Sequence, residues 1–241
     1  MLAKTNGIVI RNVRYGEGSV ISKIYTRNFG MQSYMINGIY NAKSSLKASL
    51  LQPLMVLDLV VYYNKLKEVQ RIKEAKCPYQ FVSLHFDNTK AGICLFVSEL
   101  LNKTIVEEEP NALLYDFIEN SILSLDQEKG KLTNWPIYFM IRLSKWLGFP
   151  PENNFNKTDQ IYFDLSAGVF TAFPEKNDLA LGPPESEYFS RLISVKTEEL
   201  NTIQIPKISR QEILQKLIQY YRLHLSDFKD IKSIEVLSEI N

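Results

Sequence analysis

The sequence predicts an α+β protein in which a five-stranded β-barrel precedes a mostly α-helical region. Three observations predict it. Five short β-rich runs fill residues 1–80, with turn residues between them. The apolar period changes to helical spacing at about residue 82. The net charge changes sign near the same place.

The first run, residues 8–14, ends at Tyr15-Gly16-Glu17-Gly18-Ser19, a turn with two glycines. Residues 20–26 alternate, with Val20, Ser22, Ile24 and Thr26 on one face and Ile21, Lys23, Tyr25 and Arg27 on the other. Asn28-Phe29-Gly30 forms the next turn, and residues 31–37 the third strand, ended by Gly38. Residues 54–63 are apolar and β-branched, and residues 68–76 complete the sheet. Five strands in so short a stretch point to a small barrel of the OB type. Pro78 marks a boundary, so the expected domains are residues 1–80 and residues 81–241.

Beyond that boundary, residues 92–106 carry Ile93, Phe96, Val97, Leu100 and Leu101 at helical spacing. Pro110-Asn111 starts a second helix with Leu113, Leu114, Phe117, Ile118 and Ile122 on its apolar side. Thr133-Asn134 reads as the cap of a third, with Pro136 in its first turn and Gly148 past its end. Residues 152–184 are loop-rich, with one short hairpin around residues 162–173. Ser209 and Glu212 read as a capping box opening a helix that runs to about Leu225. Residues 231–240 form a further short helix.

The chain has 241 residues and a net charge of +1, but the charge is unevenly divided. Residues 1–80 hold twelve Lys and Arg against four Asp and Glu, a net +8, and the remainder carries −7. A basic module of this size is what a polyanion partner requires. The plainer alternative is that the basic half docks on the acidic half of the same chain. Apolar residues at 45% and charged residues at 23% exclude wholesale disorder. No run approaches the roughly 18 apolar residues of a membrane span. The first residues lack the apolar core of a secretory signal, so none is expected. Two cysteines, Cys77 and Cys94, are too few for a disulfide framework and fit a reducing cytoplasm.

Catalytic patterns are absent from the sequence: no G-x-x-x-x-G-K-[ST], no G-x-S-x-G and no H-E-x-x-H. His85 and His224 have no histidine partner at metal-ligand spacing, Cys77 precedes a proline, and Cys94 lies on a buried-looking helix face. Glu107-Glu108-Glu109 are adjacent and so point in different directions, as on a solvated helix end. A non-enzymatic protein without cofactor or metal is expected.

The candidate nucleic-acid-binding residues are Arg11, Arg14, Lys23, Tyr25, Arg27, Lys43 and Lys47. Phosphate contacts supply sequence-independent affinity, and aromatic faces add stacking with any base. Glu17 is the one acidic residue between residues 1 and 57, which favours a binding face over an ordinary solvated one. Tyr25 has the plainer alternative of barrel packing. A second basic run (Lys65, Lys67, Arg71, Lys73, Lys76) extends the positive charge, with its facing not legible.

Several stretches, in this order, resemble the RecO family of DNA repair proteins. Gly7-Ile8-Val9-Ile10-Arg11, Tyr15-Gly16-Glu17, and Thr26 with Gly30 are similar to the family's opening strand, YGE turn and Thr…Gly turn. Ala42-Lys43-Ser44-Ser45-Leu46 and Leu51-Gln52-Pro53-Leu54 resemble its lysine-serine loop and LQP strand entry. Tyr220-Tyr221-Arg222-Leu223-His224-Leu225 and Lys232-Ser233 resemble its last helix and the lysine-serine pair after it. The resemblance spans essentially the whole chain. It implies an N-terminal OB-fold, a C-terminal helical domain, and recombination mediation. That means binding single- and double-stranded DNA, annealing complementary strands, and helping RecA load with RecR on DNA coated by single-strand-binding protein (SSB). It also implies that the helical domain holds the acidic, hydrophobic-ended SSB tail, for which the helix with Arg142 and Lys145 is a candidate. A cytoplasmic, nucleoid-associated monomer without membrane contact is expected. The alternatives are an OB-fold RNA-binding or protein-adaptor module without annealing activity and, more remotely, a metal-dependent nuclease.

One departure stands out. Many members of the family carry a four-cysteine zinc module in the helical domain, and the matching stretch, near residues 150–182, has neither cysteine nor histidine. Structural zinc takes four such ligands, so no zinc is expected here. The hairpin would be held by Phe155, Tyr162, Phe163, Phe170 and Phe173 instead.

Overall fold

Inside–outside alternation organises the first 76 residues. In the computed structural model, which describes residues 1–39, 46–105 and 109–240, five strands form a closed barrel. They are β1 (Leu2–Tyr15), β2 (Ser19–Thr26), β3 (Gly30–Asn37), β4 (Val56–Tyr62) and β5 (Val69–Lys76). The order around the barrel is β1-β2-β3-β5-β4, with β1 also paired to β4. β3 and β5 run parallel, and the other neighbours antiparallel. This is the OB arrangement.

The interior is filled by Val9, Ile24, Tyr34, Leu57, Leu59 and Val61. Gly7 lies where β1 passes closest to them: a Cβ there would sit 2.6 Å from Ile24 Cγ2 and 2.8 Å from Leu59 Cδ1. The β2–β3 turn is tied by Thr26, whose hydroxyl donates to Gly30 O and accepts from Phe29 N, and Gly30 supplies the positive φ of 64°. Two strand ends differ from expectation. β1 starts at Leu2 because its first half pairs with β4, Leu2 opposite Tyr62. β4 starts at Val56 because Leu54 has a left-handed φ of 62°, which interrupts an extended chain.

Two compact units divide the chain, Met1–Glu128 and Lys129–Asn241. The first contains the barrel with α1 (Asn88–Thr104) and α2 (Ala112–Gln127). Asp87 caps α1 by accepting from Lys90 N, and Asn111 caps α2 by accepting from Leu114 N. The chain entering α1 is fixed by a buried charge at the end of α2. The Asp126 carboxylate accepts from the amides of Val82, Ser83 and Leu84, at 2.7 Å for the last. The buried Lys90 ammonium donates to Ser83 Oγ, Asp126 O and Glu128 O, at 2.7–2.8 Å. Burial pushes the Asp126 carboxyl up, but the three amides and the Lys90 charge outweigh it and hold it below its ordinary value.

The second unit contains α3 (Trp135–Trp146), β6 (Tyr162–Asp164), β7 (Val169–Thr171), β8 (Ala180–Leu181), α4 (Glu185–Ser194), α5 (Lys207–His224) and α6 (Ile234–Ile240). The hairpin β6–β7 gains β8 as a third strand, in the order β7-β6-β8. Rings hold it. Phe163 meets Phe170 at 5.0 Å, Phe189 at 4.7 Å and Tyr220 at 5.7 Å, and Phe155 meets Phe170 at 5.3 Å. Asn154 locks the hairpin by accepting from Phe170 N and donating to Phe170 O. Tyr162 lies against Gly182, where a Cβ would come within 3.2 Å of its ring. Phe173 corrects the expectation: it is 88% exposed and adds nothing to the ring cluster.

Two expected caps are also corrected. Asn134 precedes α3 but donates its side-chain amide to Ile203 O, leaving the helix end uncapped by it. The capping box at Ser209 does not form, because α5 starts earlier, at Lys207, and the Ser209 hydroxyl donates to Glu185 Oε1 instead.

Two substitutions test these anchors. Asp126→Asn lowers stability by about 2 to 3 kcal/mol at neutral pH, through its charged hydrogen bonds to buried amides. Because the folded carboxyl is held low, that contribution is complete above the ordinary carboxylate range. It drains away as pH falls through that range to the folded value, so urea midpoints of the two proteins converge in acid. Phe163→Ala lowers stability by about 3 to 5 kcal/mol, while Phe173→Ala stays within about 0.5 kcal/mol; thermal unfolding separates the two.

Candidate nucleic-acid interface

The outer face of the barrel is set by an irregularity in β1. Val9 pairs with Ile24, both inside, but the register shifts and Arg11 pairs with Lys23. The extra residue, Ile10, carries Arg11 to the outer face, whereas unbroken alternation would turn it inward. Lys23 in turn stands opposite Ser33 on β3. Partial burial, and then Arg11, lower the Lys23 ammonium from its ordinary value. Like charges directly opposite on a sheet repel by a fraction of a kcal/mol, and an anion laid across both removes that repulsion.

Lys23 also lines a groove shared with Asn28, Phe29, Gln32, Tyr63 and the residues 65–67 of the β4–β5 loop. Phe29 and Tyr63 are stacked there, centroids 4.1 Å apart and 19° between planes. Lys65 and Lys67 are exposed on its rim, and Glu68 and Glu109 are its acidic members among the described residues. The buried Gln70 side chain fixes the loop. It accepts from Asn64 N at 2.9 Å and donates to Asn64 O at 2.9 Å and Lys67 O at 2.6 Å. Asn64 Oδ1 accepts from Leu66 N at 3.0 Å.

The expected residues therefore separate. Arg11 and Lys23 come together. Tyr25 does not join them: it is 1% exposed, its ring lies 6.1 Å from Tyr115, and its hydroxyl donates to Asn111 O. Its expected stacking role is corrected, because α2 covers it. Arg27 is held beside it by a two-pronged pair with Asp116, both contacts 2.9 Å. The bond to Arg27 holds the Asp116 carboxyl low. Arg14 pairs with the inward-facing Val20 and so lies on the opposite face of β1 from Arg11, exposed at the strand end. Lys47 is exposed before a 3-10 turn at Ala48–Leu51. Lys43 and the rest of residues 40–45 lie outside the described residues, as do Glu107 and Glu108. Of the second basic run, Lys73 pairs with Glu74 and Lys76 with Asp58. Lys65 and Lys67 are the pair that sequence reasoning left without a facing; the signal for them was the loop position between the last two strands.

The nucleophile and ligand candidates are built into the fold. Burial pushes the Cys94 thiol up to about 12 and raises the Cys77 thiol as well, which suppresses thiolate. His85 Nε2 donates to Pro53 O, and His224 Nε2 to Leu165 O. Among the described residues no group of three or more His, Cys, Asp or Glu is placed to hold a metal ion, and no helix is long and apolar enough to cross a membrane. In the second unit, Arg142 donates to Val195 O and lies over the Tyr138 ring. An apolar hollow there is lined by Pro136, Ile137, Leu214 and Leu237, with Lys207 and Arg210 at its edge.

A closed barrel of this strand order, with a lysine-lined groove over β2 and the β4–β5 loop, places the protein in the OB-fold class, whose ligand surface is formed by those elements. Residues 1–81 match the family described as Recombination protein O N terminal, and residues 85–233 match Recombination protein O C terminal. The chain is 34% identical over 241 residues to the DNA repair protein RecO of Flavobacterium psychrophilum, covering 100% of this chain and 99% of the relative. It is 33% identical to that of Phocaeicola vulgatus and 27% identical to that of Porphyromonas gingivalis, with the same coverage. The chain belongs to the RecO family.

The position of Tyr25 has a direct test. Tyr25→Phe removes one hydrogen bond and lowers stability by about 1 kcal/mol, while affinity for an oligonucleotide, followed by fluorescence anisotropy, stays unchanged.

Proposed function

We propose that this chain is a non-enzymatic DNA repair factor that captures single- and double-stranded DNA on the barrel groove and anneals complementary strands. With RecR it helps RecA load on SSB-coated DNA. It works in the cytoplasm, at the nucleoid, as a monomer. The observation that carries the reading is the convergence of Lys23, Lys65 and Lys67, distant in sequence, on one groove that contains the Phe29–Tyr63 stack. Family membership supports the same role. Two strands repel through their phosphates. Lysines that neutralise one strand lower the barrier to its pairing with another, with no need for nucleotide hydrolysis. The SSB tail, acidic with an apolar end, suits the hollow beside Lys207 and Arg210.

The groove is tested by anisotropy of a labelled single strand across a salt series, for wild type and for the triple variant Lys23→Ala, Lys65→Ala, Lys67→Ala. Each phosphate contact contributes about 0.7 to the salt slope on single strands. The triple variant therefore binds at least about tenfold more weakly at low salt, with a slope shallower by about 2. An unchanged slope would place the strand on another surface.

A further inference from the structure

Leu66 is 94% exposed, the most exposed large apolar side chain among the described residues. A single exposed leucine usually needs no explanation, but this one sits on a built support. It occupies the apex of the β4–β5 loop between Lys65 and Lys67, on the rim of the groove that contains the Phe29–Tyr63 stack. The loop is held from beneath by the buried Gln70 side chain, and the Leu66 amide itself is fixed by Asn64 Oδ1. The loop base is tied as well: Tyr63 N donates to Met1 O at 2.8 Å, and the amino terminus donates to Tyr63 O at 2.7 Å. A rigid loop that presents an apolar tip between two cations matches what is needed to push a side chain between stacked bases while holding the phosphates on either side.

Resting on the reading of the groove as a DNA site, we infer that Leu66 is a wedge that enters the base stack at a junction between single-stranded and duplex DNA. Unstacking a base step costs least where one neighbour is already unpaired. The wedge is therefore selective for the junction, whereas Lys65 and Lys67 act on any phosphate. A base opened at the junction is exposed for exchange with a complementary strand, which gives the groove a preferred place to act along the DNA.

The test is a partial duplex with 2-aminopurine at the junction base pair, whose fluorescence rises when the base unstacks, titrated with the full chain. The wild type raises the fluorescence. Leu66→Ala abolishes the rise while the salt slope of its binding to a fully single-stranded oligonucleotide, which the phosphate contacts set, is unchanged. Leu66→Phe, which restores an apolar wedge, restores the rise. Truncating so exposed a side chain does not threaten the fold. If Leu66→Ala binds and raises the fluorescence as the wild type does, the wedge is wrong and the DNA groove stands. If the wild type binds neither DNA, both the groove and the wedge fail.

Discussion

The placement of one extra residue in β1 decides which chemistry this barrel shows to its surroundings. Up to Val9 the strand alternates in step with Ile24 and the interior, and Gly7 is small enough for the walls to close on it. At Ile10 the register slips, and Arg11 arrives opposite Lys23 on the outside. Without that slip a guanidinium would face an apolar interior, at a cost a small barrel could not absorb. The bulge thus converts a sequence position that alternation assigns to the core into part of a basic surface. The same strand face is divided by its cover. Tyr25 and Arg27, two and four residues beyond Lys23, are claimed by α2 through Asn111, Tyr115 and Asp116. What remains uncovered is Lys23, which lines the groove.

The two compact units are held by different physics. In the first, a buried charge pairs with backbone dipoles: Asp126 gathers three amides, and Lys90 gathers two carbonyls and a hydroxyl. Each charge is satisfied by polar groups in fixed positions, so burial does not neutralise it. In the second, the short sheet is held by ring contacts among Phe155, Phe163, Phe170, Phe189 and Tyr220. Such contacts are individually weak and gain strength from shape and number. The tyrosine hydroxyls that enter this core find carbonyls, Tyr220 to Phe149 O and Tyr221 to Met140 O.

Much of this was legible in the sequence, because strand periodicity and glycine turns are local signals. The barrel strands and α1, α2, α3, α5 and α6 lie near where period and turn chemistry placed them, whereas α4 (Glu185–Ser194) and β8 were not expected. The misses are non-local. The early start of β1 depends on a partner some sixty residues away, and the late start of β4 on the left-handed Leu54. Asn134 and Ser209 are good capping residues whose side chains found better-placed partners, Ile203 O and Glu185. For the candidate site, the scarcity of acidic residues marks the basic strands but not the face on which each cation lies. Lys23 and Tyr25 are equivalent by alternation, and the cover supplied by α2 separates them. Lys65 and Lys67 could be seen as a basic run, but their convergence on Lys23 exists only once β5 lies beside β3.

The strand order has a consequence for how the molecule is made. The leading half of β1 leaves a ribosome before the other barrel strands, yet its partner β4 emerges some fifty residues later, and β5, which joins β3 to β4, emerges after that. Until then β1, β2 and β3 form an open meander with apolar Val9, Ile24 and Tyr34 uncovered and two free edges, the kind of surface that recruits stray strands. Closure requires long loops to be drawn in before their contacts repay the lost entropy. Arg11 and Lys23 lie on the outer face of that open sheet, where like charge disfavours the approach of a second copy. The cations of the mature surface would thus also act as guards of the unfinished barrel.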